Sequence, residues 1–166
     1  INISKDNWVI RELTDEEVSS LIKKKLMESE INENWSDLLN HSLISSNNIL
    51  ALNISGKDIP PIEIVANSTK DYFNSKIMII NFEQATEVDL LQVNLGDQFS
   101  SLSVSSYLFL GENSLVNHGT VSFGEGKSNL INSLNVLQSA ESQYNLGSIQ
   151  FKLDFARLEI NINQLE

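Results

Sequence analysis

The sequence predicts a mainly β fold: a parallel β-helix with about 26 residues per coil, preceded by a short helical segment. Two observations support this fold class. From Ile49 onward, apolar and polar residues alternate with the period of two that strands require. Alternate strand candidates also recur at nearly constant spacing, beginning at residues 49, 77, 103, 128 and 153. In a β-helix each coil lays its strands on the equivalent strands of the preceding coil, about 4.8 Å away.

An antiparallel β-sandwich is the alternative, because turns every 12 to 14 residues are also compatible with hairpin connections. No Asn-Gly or Asp-Gly dipeptide lies between the strand candidates, which mildly favours coils over tight hairpins. The direction of strand pairing decides between the two folds. Parallel neighbours about 26 residues apart indicate a β-helix, and antiparallel neighbours half as far apart indicate a sandwich.

The chain begins with a predicted helix over residues 14–30. Thr14 and Glu17 have the spacing of a capping box, and apolar residues follow on one face. The basic triplet at 23–25 is interpreted as a solvated face. A shorter helix is predicted over 34–41, with His41 as its C-terminal cap. We therefore divide the chain into an N-terminal helical segment, 1–45, and a β-helix core domain, 46–166.

Nine strands are predicted in the core domain. β-branched and aromatic residues supply their apolar positions, and turn residues such as Gly96-Asp97 separate them. The clearest alternation runs from Ile149 to Phe155. The predicted strands are 49–54, 62–66, 77–82, 87–95, 103–110, 114–122, 128–137, 142–151 and 153–163.

Composition excludes several function classes for this chain of 166 residues. Eleven Lys and Arg face 22 Asp and Glu, and the formal net charge of −11 makes nucleic acids and acidic membrane surfaces poor partners. The absence of Cys removes thiolate metal sites and Cys nucleophiles. It also fits a reducing compartment, and no signal peptide is visible, so we expect a cytoplasmic protein. Ile1 is not an initiator Met, which indicates a processed chain or a piece of a longer one.

No catalytic, cofactor-binding or metal-ligating residue is predicted. The run from Gly124 to Ser128 resembles a phosphate loop only superficially, because Val121 stands where its first Gly would be. His118 lies mid-strand with no carboxylate beside it, so a structural role is favoured. Glu87 and Asp89 share one strand face, but a chain with 22 acidic residues is expected to contain such a pair by chance, so no catalytic role is assigned to it.

Aromatic residues are interpreted as core fillers rather than as an exposed ladder that binds sugars. Most of them fit inward positions in the predicted strands. They are Phe73, Phe82, Phe99, Tyr107, Phe109, Phe123, Tyr144, Phe151 and Phe155.

Three stretches resemble the middle of the SufD branch of the SufB/SufD family: Val88 to Leu95, Tyr107 to His118, and Gln138 to Tyr144. In that family a strand ends in a Gly-Glu-Asn-Ala-type turn, here Gly111 to Ser114. The next strand carries a His, here His118, and a later turn reads Gln-x-Ala-x-Ser-x-Tyr.

Shorter segments extend this resemblance from about residue 32 to the end of the chain. Leu153 to Ile162, Trp35 to Asn40 and Ile49 to Asn53 are similar to family segments in the same order. The family's Pro-Lys-Gly turn is replaced by Ile54 to Lys57. The absence of Cys suits SufD better than its sister SufB.

The resemblance implies a right-handed parallel β-helix and a non-enzymatic scaffold subunit of the SufBCD complex for iron–sulfur cluster assembly. It implies SufB-like and SufC-like (ATPase) partners, and a cluster held only in the full SufB–SufD assembly. The helices that dock SufC lie beyond Glu166 in the family, so the chain is similar to roughly the first 60% of such a protein. No catalytic residue is transferred.

Two other functions stay open. One is a carbohydrate-binding or lyase-like β-helix domain, and the other is a β-sandwich interaction module. For a β-helix, the last predicted strand, 153–163, has an unpaired edge. We also predict that this strand either pairs with a second copy, giving a homodimer through this coil, or is partly frayed in solution.

Overall fold

The computed structural model describes residues 1–28, 48–69 and 73–165. Eleven strands and one helix are present in this part of the chain. The strands alternate between two sheets along the sequence from β3 onward. The elements are β1 (Asn2–Lys5), β2 (Trp8–Glu12), α1 (Asp15–Glu28), β3 (Asn48–Gly56), β4 (Ile62–Ser68), β5 (Phe73–Phe82), β6 (Glu87–Gly96), β7 (Ser101–Leu110), β8 (Leu115–Gly124), β9 (Asn129–Gln138), β10 (Gln143–Phe151) and β11 (Phe155–Gln164).

Strands of successive coils stack in parallel, which confirms the parallel β-helix and shows that the sandwich alternative is wrong. Sheet A has the order β1-β2-β3-β5-β7-β9-β11, and sheet B has the order β10-β8-β6-β4. Only β1 with β2 and β2 with β3 pair antiparallel. The coil winds alternately through the two sheets, so residues one coil apart in sequence become neighbours in space.

The coil length is 28 residues rather than the expected 26. In sheet A, Ile79 pairs with Tyr107 and Tyr107 pairs with Asn135, and sheet B keeps the same spacing. The first three expected strands of sheet A began too late because polar residues open them, as in the Asn74-Ser75-Lys76 segment of β5, and the last two began one or two residues too early. A strand boundary read from hydrophobicity misses residues that pair through the backbone alone.

Four-residue turns join the ten-residue strands at the two corners of the coil. The third turn residue has a positive φ, as at Asn113 (56°) and Glu141 (56°), and the fourth is Ser or Thr. The hydroxyl of Ser114 donates to the carbonyl of Gly111 at 2.7 Å, and Ser142 donates to Ser139 at the same distance. These two corners therefore satisfy their own hydroxyl groups while the chain reverses direction, whereas the buried Ser128 Oγ of the 125–128 corner has no hydrogen-bond partner among the described residues.

The last corner is two residues shorter. Phe155 pairs with Asn129, a spacing of 26, because only Lys152 to Asp154 separate β10 from β11. The stretch from Ile149 to Phe155, which had the clearest alternation, is therefore not one strand. It crosses this corner.

The interior of the coil is divided into apolar and polar layers. One apolar cluster surrounds Ile54, Ile80, Phe82 and Leu108, and a smaller one contains Leu102, Val104 and Leu130. Buried polar side chains occupy part of the interior as a hydrogen-bonded layer. They are Gln92, Asn94, Ser106, Thr120, Ser122 and Asn132.

Helix α1 covers the outer face of sheet A. Val18 is buried against a cluster that includes Ile79, Tyr107 and Phe109. The capping box is confirmed: the Thr14 amide donates to Glu17 Oε2 at 2.9 Å, and the Glu17 amide donates to Thr14 Oγ1 at 3.3 Å. These outward apolar residues of sheet A are buried because the helix lies on them.

The N-terminal segment is not purely helical, since β1 and β2 extend sheet A before α1 begins. Ile10 of β2 packs into the main apolar cluster beside Ile54. These strands were missed because each is only four or five residues long. The predicted helix at 34–41 and His41 lie outside the described residues.

Candidate functional site

His118 is the candidate site residue with the most unusual surroundings. It lies on β8 with its side chain inside the coil, and only 2% of the residue is exposed. Its Nδ1 lies 2.7 Å from the hydroxyl of Tyr144, which β10 of the next coil positions. The two rings meet edge to face, with centroids 6.0 Å apart. Two residues that carry the family resemblance are thus in direct contact.

Burial controls the charge state of this pair. Desolvation lowers the pKa of His118 from 6.5 to about 4, and burial raises the pKa of Tyr144 above its ordinary value. His118 Nε2 is buried and has no hydrogen-bond partner among the described residues. Protonation would place a cation there with an unsatisfied donor, so the imidazole is neutral at pH 7.

This arrangement suits a structural pin better than a general base. A base must reach the proton that it abstracts, whereas His118 is enclosed and its free nitrogen faces the interior. Tyr144 holds its proton more tightly than a free phenol does. The hydrogen bond connects β8 to β10 of the next coil.

The outer face of sheet B carries a polar ladder. The side-chain amide of Asn145 donates to Asn117 Oδ1 at 2.9 Å, and the side-chain amide of Asn117 donates to Asp89 Oδ1 at 2.9 Å. Glu87 and Asp89 both point outward from β6, as their spacing predicts. Asp89 is therefore engaged in the ladder rather than paired with Glu87.

A shallow trough lies beside this ladder. Gly119 and Gly147 replace side chains in successive coils, leaving an open depression of about 440 Å³ that Leu91 and Asn117 also line. The glycines follow Leu91 in register. A ladder of amides next to a flat floor can hydrogen-bond an extended ligand that lies along the coil axis.

On the far side of the trough, the outer face becomes apolar. Ile149 is 63% exposed and Val65 is 53% exposed, and both occupy the same column of the sheet. Phe123 and Phe151 stack in the next column, with centroids 4.9 Å apart. The apolar outer residues are Val65, Leu91, Val93, Leu95, Val121, Phe123, Ile149 and Phe151, and we call them the sheet B apolar stripe.

The run from Gly124 to Ser128 ends β8 and forms the next corner, as predicted. Lys127 occupies the positive-φ position there, and its Nζ lies 4.9 Å from the centroid of the Phe99 ring. Strand β9 follows rather than the helix of a phosphate loop.

The expectation that most aromatic residues point inward is wrong. Phe82 and Tyr144 lie inside the coil, whereas Tyr107 and Phe109 are buried outside it, beneath α1. Phe73, Phe99, Phe151 and Phe155 are exposed. Alternation assigns residues to two faces but does not identify the inner one when both faces carry apolar side chains.

Sequence reasoning also missed the buried polar layer and the partner of His118. Gln92 donates to Asn94 Oδ1 at 3.0 Å, and Asn94 donates to Ser122 Oγ at 3.2 Å. A signal was available, because the 28-residue spacing places Asn94 beside Ser122. It was not usable without the correct coil length.

Within the described ranges, no group of three or more His, Cys, Asp or Glu side chains is arranged to hold a metal ion. Nor does any helix in this part of the protein have the length and apolar character needed to cross a membrane. Comparison with protein-family models found no match to the chain, and comparisons with curated proteins and with solved structures found none either.

Proposed function

We propose that this chain is a scaffold subunit of the SufD type, without catalysis of its own, that serves iron–sulfur cluster assembly in the cytoplasm. Its partners in this proposal are a SufB-like β-helix and a SufC-like ATPase. The cluster is the cargo of the full assembly rather than a resident of this chain. Nucleic acid and membranes are not among the proposed partners, given the net charge of −11.

One observation carries the proposal. The three stretches behind the resemblance are spread over residues 88–144, yet they stack on one another in successive coils. The turn from Gly111 to Ser114 lies against the next turn, where the Asn113 amide donates to the carbonyl of Ala140 at 3.2 Å. His118 and Tyr144 then meet inside the coil. These motifs therefore describe one continuous region of a β-helix, which is the fold that the resemblance implies.

The chemistry of this region also favours a scaffold. Its buried ionisable pair is neutral and enclosed, and its outward carboxylate Asp89 accepts a hydrogen bond from Asn117. Both features stabilise stacked coils.

Affinity capture tests the proposal directly. The tagged chain is co-expressed with SufB-like and SufC-like proteins from the same organism, and an equally acidic tagged protein serves as the control. We expect the SufB-like protein to be retained, and the SufC-like protein to be retained only when the SufB-like one is present. Failure to retain the SufB-like protein at micromolar concentrations would overturn the proposal.

A second candidate is a carbohydrate-binding or lyase-like β-helix domain, favoured by the ladder that ends at Asn145 and the trough beside it. Filling the trough with Gly147→Phe adds a side chain where an added Cβ has no neighbour within 4 Å. Titration of both proteins with acidic and neutral oligosaccharides measures binding. Binding to wild type that Gly147→Phe abolishes would favour this candidate over the scaffold.

A further inference from the structure

We propose that the sheet B apolar stripe is a homodimer interface, on which two copies of this chain pack face to face with their coil axes parallel. The inference goes beyond the proposed function, since it concerns self-association through one outer face. It also differs from the homodimer predicted through the last coil, whose contact would be the edge of β11.

The first argument is that the normal alternation is inverted under the stripe. In the second half of β6, the inward residues Gln92 and Asn94 are polar and buried, whereas the outward residues Leu91 and Leu95 are apolar and 37% exposed. The neighbouring strand of sheet B, β8, repeats this pattern, with Ser122 inside the coil and Phe123 outside it. A monomer gains nothing from placing amides in its core and aromatic rings in water.

The second argument is the contrast with the other sheet. The apolar outer residues of sheet A, such as Ile79 and Phe109, are buried beneath α1. Among the described residues, no element covers the equivalent face of sheet B, where Ile149 is 63% exposed. The stripe is therefore a cohesive apolar surface that no described part of the chain covers.

The area is sufficient for a specific contact. The whole outer face of sheet B, the stripe together with the polar ladder and the trough, measures roughly 540 Å² per copy, for strands about 4.8 Å apart and about 23–30 Å long. Two copies would bury about 1,100 Å² in total, which is near the lower limit of specific interfaces. We expect a reversible dimer with an affinity in the micromolar range.

The distribution of charge at the two corners of the coil favours one orientation of the two copies. The corner segments that lead from sheet A to sheet B, 55–61, 83–89, 111–117 and 139–145, carry six acids and one base. The opposite corner segments, 95–101, 123–129 and 151–157, carry three acids and three bases. Lys152 lies over the Phe123 ring at that margin, with its Nζ 5.3 Å from the centroid.

A two-fold axis parallel to the coil axis places the acidic corner of each copy against the mixed corner of the other. A two-fold axis along the strands would instead face the two acidic corners toward each other, which like-charge repulsion disfavours. Of the two face-to-face arrangements, charge therefore selects the one with parallel coils. The axis then follows the column of Val65, Val93, Val121 and Ile149, so each of these residues meets its own counterpart.

Sedimentation equilibrium of the whole chain from about 5 μM to 1 mM tests the association. We expect a monomer–dimer equilibrium that Ile149→Lys weakens at least tenfold. Ile131→Lys is the matched control, because Ile131 is also exposed, at 39%, but lies on sheet A. Ile162→Lys at the last coil should leave the dimer unchanged. A wild type that is monomeric throughout, or a dimer weakened by Ile162→Lys and not by Ile149→Lys, overturns the proposal.

The absence of Cys allows the orientation to be tested with single introduced thiols. In the parallel arrangement, Val65→Cys and Ile149→Cys should each cross-link to their own copies under mild oxidation, at a rate that rises with dimer occupancy. If only a mixture of the two variants cross-links, the axis runs along the strands and the parallel arrangement is wrong. Circular dichroism checks that each variant is folded.

Discussion

The two sheets belong to the same coils and have the same strand register, but the apolar residues on their outer faces differ in burial. On sheet A, helix α1 buries Tyr107 and Phe109 to 2% exposure. On sheet B, Phe151 is 44% exposed although the Phe123 ring lies beside it in the same column. The difference teaches that an outward apolar residue in a β-helix has no fixed energetic meaning. Its contribution to folding depends on whether another element lies on it.

Truncating one ring on each face should give the largest contrast. Phe109→Ala is expected to lower the free energy of unfolding by about 3–5 kcal/mol, because it opens a cavity beneath α1. Phe151→Ala should cost less than about 1 kcal/mol, since the ring is partly solvated already. Urea denaturation at a submicromolar protein concentration, below the expected dissociation constant of the dimer, measures both. Equal losses would mean that the helix does not distinguish the faces.

The polar interior under sheet B should make stability depend on pH. The folded pKa of His118, about 4, is below its unfolded value of 6.5. The unfolded chain therefore binds more protons between these values, so stability is complete above pH 6.5 and decreases as the pH falls to 4. The expected loss from this group reaches about 3 kcal/mol.

Because carboxylates titrate in the same window, the measurement compares wild type with His118→Gln across pH 4 to 7. The unfolding free energy of wild type minus that of His118→Gln should decrease by up to about 3 kcal/mol as the pH falls from 7 to 4. A constant difference would mean that the imidazole is accessible to protons in the folded state.

Weakening the helix start should have a smaller effect, confined to the sheet A side. Thr14→Ala removes the hydroxyl that accepts from the Glu17 amide, at a cost of about 1 kcal/mol. Thr14→Ser keeps the acceptor and serves as the control. Thermal unfolding followed by circular dichroism measures both, and equal melting temperatures for all three proteins would contradict a role for the cap.

The smallest expected effect lies at the margin of sheet B. Lys152→Met removes the ammonium above the Phe123 ring but keeps an apolar side chain, which should cost about 0.5 kcal/mol. The exposed Lys23→Met on α1 is the control for loss of one charge. If both variants unfold at the same urea concentration, the contact between Lys152 and Phe123 contributes no net stability.

The strands were largely predictable because their alternation is local. All nine predicted strands overlap observed ones, and the Thr14–Glu17 cap is where its spacing placed it. Boundaries failed where backbone pairing continues through polar residues, as at Asn74 and Ser75. Late starts in the first strands of sheet A and early starts in the last ones together shortened the expected coil. The contact of His118 with Tyr144 was not predicted, because it is diagonal: the two residues are 26 apart, whereas the backbone pairs His118 with Leu146.

By itself, the sequence determined a mainly β chain of recurring alternating strands, a pattern that a β-helix or a sandwich can satisfy. The parallel pairing in the tertiary structure decided for the β-helix. The tertiary structure alone decided which side of each strand is the inside. Between Leu91 and Leu95, local hydrophobicity assigns the apolar residues to the core, yet the 28-residue stacking turns Gln92 and Asn94 inward, where their amides bond to each other. The physical reason is that backbone hydrogen bonds to the neighbouring coil fix the orientation of each strand, and these bonds do not depend on the identity of the side chains.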